Sequence, residues 1–77
     1  MAAVTLKDIE RIFEILDRLG ISREAVVIPL KPASPGSVRI LDAGKNKGKL
    51  EIVVDADTPL DAWLPELEAA IRRTLDG

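Results

Sequence analysis

The sequence predicts a small α+β domain of order α-β-β-β-α, a three-stranded antiparallel meander sheet with two helices packed on one face. Three observations lead there. Apolar residues recur at spacings of three and four near both ends of the chain, they alternate in twos across its middle, and Gly, Pro and Asn cluster at the breaks between these runs. Seventy-seven residues allow one domain, so residues 1–77 are taken as a single unit with a core near the lower size limit for independent folding.

Leu6, Ile9, Ile12, Phe13, Leu16 and Leu19 form the apolar stripe of a first helix. Thr5 stands at its N-cap with Asp8 three residues on, Val4 and Ile9 are placed as a hydrophobic staple, and Gly20 follows at the C′ position. Val26, Ile28 and Leu30 then alternate with Val27, Pro29 and Lys31, a strand that Pro29 confines to a sheet edge. After the turn-rich Pro32, Ser34, Pro35 and Gly36, alternation resumes with Val38 and Ile40. Asp42 to Gly48 reads as a hairpin loop, and Leu50, Ile52 and Val54 supply a third strand from Lys49 to Asp55. Thr58, Pro59 and Asp61 are an N-cap, an N1 proline and an acidic N3 residue. Leu60, Leu64, Leu67, Ile71 and Leu75 continue as a second helix. Pro65 predicts a kink, or a short first turn followed by a main helix from Leu64 to Leu75.

Hydrophobic residues make up 47% of the chain and aromatics 3%, so Leu, Ile and Val build the core around Phe13 and Trp63. The absence of cysteine removes disulfides, thiolate metal sites and thiol nucleophiles. No run resembles a secretion signal or a membrane span, and the expected location is cytoplasmic. The formal charge of −2 divides unevenly, about −1 over residues 1–30, about +4 over 31–49 and about −5 over the rest. The middle segment holds Lys31, Arg39, Lys45, Lys47 and Lys49 against Asp42 alone. These five are the candidate phosphate contacts.

With no His, Cys or Tyr, and with Ser22, Ser34 and Ser37 in loops, the chain offers no catalytic residue of the usual acid, base or nucleophile kinds. Asp55, Asp57 and Asp61 fall short of a calcium loop, because Leu60 stands where glycine is needed and Pro59 where an oxygen ligand is needed. A strand end leading into a capped helix accounts for them. Gly44-Lys45-Asn46-Lys47-Gly48-Lys49 leads into a strand, whereas a phosphate cradle must open a helix. No metal, cofactor or small-molecule substrate is expected.

The sheet face turned from the helices carries Val27, Leu41 and Val53, an apolar patch suited to an interface. Gly48-Lys49-Leu50-Glu51-Ile52-Val53-Val54, an acidic turn and then Leu60 to Leu75 resemble the C-terminal domains of ParB-type partition proteins. The resemblance covers residues 36–75. It implies dimerisation through strands and helices, a dimer role for Leu64, Leu67 and Ile71, and sequence-independent DNA contacts by Lys45, Lys47 and Lys49. The strand at Ala25 to Lys31 and Pro65 depart from that pattern. The element order is also similar to that of double-stranded-RNA-binding domains, whose lysine-rich second helix start is replaced here by Asp57, Asp61 and Glu66. The expected function is a non-enzymatic homodimerising or protein-partner-binding module. The alternative is an accessory nucleic-acid-binding protein that uses the lysine-rich loop without sequence specificity.

Overall fold

A computed structural model describes residues 3–76. Helix α1 spans Leu6–Arg18, and its capping box is complete. The Thr5 side chain accepts from the Asp8 N–H at 3.2 Å, and the Thr5 N–H donates to the Asp8 carboxylate at 3.0 Å. Gly20, at φ 75°, closes the other end. There the Ile21 N–H reaches the Leu16 carbonyl at 2.9 Å and the Gly20 N–H reaches Asp17 at 3.2 Å, a Schellman pair that needs a left-handed residue. A single 3₁₀ turn, Arg23–Ala25, is capped by Ser22. Arg23 pairs with Asp17 at 2.9 Å and lies over the Phe13 ring at 4.8 Å, which pins the turn back onto α1.

Three strands follow, β1 (Val26–Val27), β2 (Ser37–Ile40) and β3 (Leu50–Val53). Their order across the sheet is β1-β3-β2, with β1 parallel and β2 antiparallel to β3. This corrects the expected antiparallel meander: the sheet is mixed, and the last strand enters between the first two. Alternation specifies which side chains share a face but says nothing about which strand lies next to which. β3 takes the centre because Leu50, Ile52 and Val54 are all buried, at 5%, 0% and 1% exposure. The expected strand to Lys31 keeps regular pairing only over Val26–Val27, then bulges past Pro29 and returns to β3 at the Ala33–Asp55 bridge. β1 does lie at an edge, and Pro29 falls beyond its ladder.

Helix α2 spans Leu60–Asp76 without interruption. Pro65 therefore sits inside a continuous helix, and the separate short first turn, one of the two outcomes expected of it, does not form. The Ala62 and Trp63 N–H groups both bond to the Pro59 carbonyl at 3.0 Å, so the first turn is already closed when Pro65 is reached. Ile12, Ile15 and Leu16 of α1 meet Leu60, Trp63, Leu67 and Ile71 of α2 over Leu50, Ile52 and Val54 in one cluster. Both helices thus cover the same sheet face. Among the described residues no helix is long and apolar enough to cross a membrane.

Candidate functional site

On the open face of the sheet, Glu51 stands at the centre of a row between Val27 on β1 and Arg39 on β2. Arg39 Nε and Glu51 Oε1 are 2.9 Å apart. That ion pair divides the apolar patch expected of Val27, Leu41 and Val53. Val53 lies one row further along opposite Ser37, and Leu41 lies beyond the other end, bonded to Lys49 at 2.9 Å. All three are half-buried. Leu67 and Ile71, the expected dimer contacts, are both 0% exposed inside the chain's own core. Leu64 is half-buried beside Pro65 in a groove between the helices.

The five cations do not assemble into one surface. Lys45, Lys47 and Lys49 lie on or next to the β2–β3 loop, which is closed by the Gly48 N–H on the Leu41 carbonyl at 2.7 Å. Arg39 is committed to Glu51 on the open face. Lys31 is carried toward the opposite end of β3, two residues before the Ala33–Asp55 bridge.

The three aspartates separate as well. The Asp55 carboxylate accepts from the backbone N–H groups of Gly36 (3.2 Å), Asp57 (2.8 Å) and Thr58 (3.0 Å). The Gly36 bond first, then that of Asp57, holds this carboxyl below the usual carboxylate range; partial desolvation opposes them and Thr58 assists. Asp57 takes the Ser34 hydroxyl and Asp61 pairs with Arg11. Asp55 is thus a clasp that fastens the start of β2 to the end of β3. Gly36 makes the clasp possible: a Cβ there would lie 2.7 Å from the Asp55 nitrogen and 2.8 Å from the Val53 carbonyl oxygen.

What the clasp presents is the outer edge of β2. The Leu41 N–H bonds to Lys49, and alternation in an antiparallel pair then turns Ser37 and Arg39 toward β3 and the N–H and C=O groups of Val38 and Ile40 outward. Ile40 is 49% exposed although its side chain faces the core side. Beside this edge, between β2 and α2, runs a groove of about 470 Å³. Trp63, Leu67 and Ala70 form its floor, and Glu66, Ala69 and Arg73 its outer rim.

Arg73 is distinctive. Arg11, Arg18, Arg23, Arg39 and Arg72 are each within ion-pair reach of a carboxylate in the chain, and among the described residues Arg73 is the arginine that is not. Among the described residues Glu66 has no ion pair either. The sequence shows Glu66 and Arg73 plainly, but their lack of partners is visible only once every other arginine has been placed. The even positions of β2 were assigned to the core by their alternation, which conceals that their backbone groups line an edge. Comparison with known protein families, curated proteins and solved structures finds no match to this chain.

Proposed function

We propose that this protein is a non-enzymatic homodimerising or protein-partner-binding module whose working surface is the outer edge of β2 with the adjoining groove. One observation carries the reading: β2 leaves a row of unpaired backbone groups at an edge flanked by a groove, with no proline within Ser37–Ile40 and, among the described residues, no further strand paired to it. An added strand gains main-chain hydrogen bonds from such an edge and specificity from the pockets beside it. This moves the interface from the open sheet face and from Leu64, Leu67 and Ile71 to Val38, Ile40 and the rim of α2. The nucleic-acid reading rests on Lys45, Lys47 and Lys49 alone, with no aromatic side chain on that loop to stack on bases.

Ile40→Pro tests the edge. Its N–H points outward, so proline removes an edge donor and no bond to β3. Sedimentation equilibrium is expected to show loss of association in Ile40→Pro and none in Val53→Asp. The reverse result returns the interface to the open face.

A further inference from the structure

We infer that the edge of β2 and its groove receive a second copy of this chain, β2 against β2 and α2 against α2, both antiparallel about one two-fold axis. This rests on the interaction-module reading above and names its partner. The charges on the groove rim make the case. Glu66 and Arg73 are seven residues apart, two helical turns, and so lie on one face of α2. Between them are Ala69 and Ala70, small enough to let two helices approach closely. An axis passing between these alanines sets Glu66 of each copy against Arg73 of the other. Two ion pairs form from the two charged side chains on this rim, neither of which has an ion pair among the described residues.

The strand obeys the same axis. Val38 and Ile40 present four outward backbone groups, and an antiparallel copy related through Arg39 pairs all of them. The two Arg39 side chains then meet across the axis, each already compensated by its own Glu51. Val38 lines the same groove as Ala69 and Ala70, so the strand and helix centres fall at one level. The helices are also needed. A four-residue edge alone falls far short of the roughly 800 Å² per partner that a stable interface buries. An unrelated acidic peptide would satisfy Arg73 and leave Glu66 facing it; a second copy satisfies both.

The test is charge reversal read by sedimentation equilibrium, with circular dichroism to show that each protein is folded. Arg73→Glu and Glu66→Arg each put two like-charge contacts into the dimer, and each is expected to raise the dissociation constant about tenfold. The double variant restores the wild-type value. So does an equimolar mixture of the two single variants, because the heterodimer pairs every charge, an outcome that a structural role for either residue does not produce. Equal dissociation constants for all of these proteins overturn the inference. So does a wild type that stays monomeric at every accessible concentration, which assigns the edge to a different protein. A dimer abolished by Ile40→Pro yet indifferent to charge reversal retains the edge and overturns the second-copy geometry.

Discussion

The two edges of this sheet are built on opposite principles. On the β1 side, only Val26–Val27 form regular ladder, Pro29 and Pro32 contribute no N–H, and the Val4 N–H occupies the Leu30 carbonyl at 3.0 Å. Beyond them Ala33 returns to β3, donating to Val54 at 3.0 Å and accepting from Ala56 at 2.9 Å. The β2 side has four residues in unbroken register and, among the described residues, no strand paired to its outer groups. Short strands, prolines and covering segments are the means by which proteins stop sheets from adding strands. This chain spends them all on one side. The contrast leaves β2 as the open edge and β1 as the sealed one, and the proposed association proceeds on the open side.

The contrast breaks most severely at Gly36. Alanine there places its Cβ against the backbone of Val53 and Asp55, which cannot yield as a side chain end does. We expect Gly36→Ala to cost about 3 kcal/mol in chemical denaturation and to release β2 while leaving β1 paired. Amide exchange over Ser37–Ile40 compared with Val26–Val27 reports this directly. A smaller effect comes from the sealed side. Val4 is 6% exposed, and Val4→Ala removes two buried methyl groups. The loss should be about 1.5 kcal/mol, with faster exchange confined to residues 28–33.

The smallest effect is at the clasp shared by both sides, since Asp55 bridges Ala33 through its backbone and holds Gly36 through its carboxylate. Its folded-state pKa is depressed, so the contribution is complete above the ordinary aspartate value of about 3.9 and is lost as pH falls through the lower folded value. The gap in urea midpoint between wild type and Asp55→Asn should therefore be constant at neutral pH and narrow below about pH 3.9. A gap that widens on acidification contradicts the clasp.

Much of this was legible before any coordinates. Thr5, Asp8 and Gly20 mark the ends of α1, and Leu60, Leu67 and Ile71 mark the buried stripe of α2, because helix signals are local and each cap satisfies groups a few residues away. The edge position expected of the first strand holds for Val26–Val27, although Pro29 itself lies outside the ladder. The neighbour of that edge was not legible, since an alternating strand pairs equally well with any other and the bond joining β1 to β3 spans the whole hairpin. The same non-locality hides the proposed interaction edge. Val38 and Ile40 belong to the core by their side chains and to the surface by their backbone, and Arg73 is notable only by comparison with five other arginines.

The insertion of β3 between two earlier strands also sets an order of events during synthesis. When the chain has emerged as far as Asp42, β1 and β2 are both made and neither has a strand to join. The hairpin pairings are local and the parallel contact of Val26 with Leu50 spans more of the chain, so the hairpin is expected to form first and that contact last. Until Leu50 to Asp55 leave the ribosome the nascent protein holds two unmatched strands, and a single short segment then supplies the partner for both.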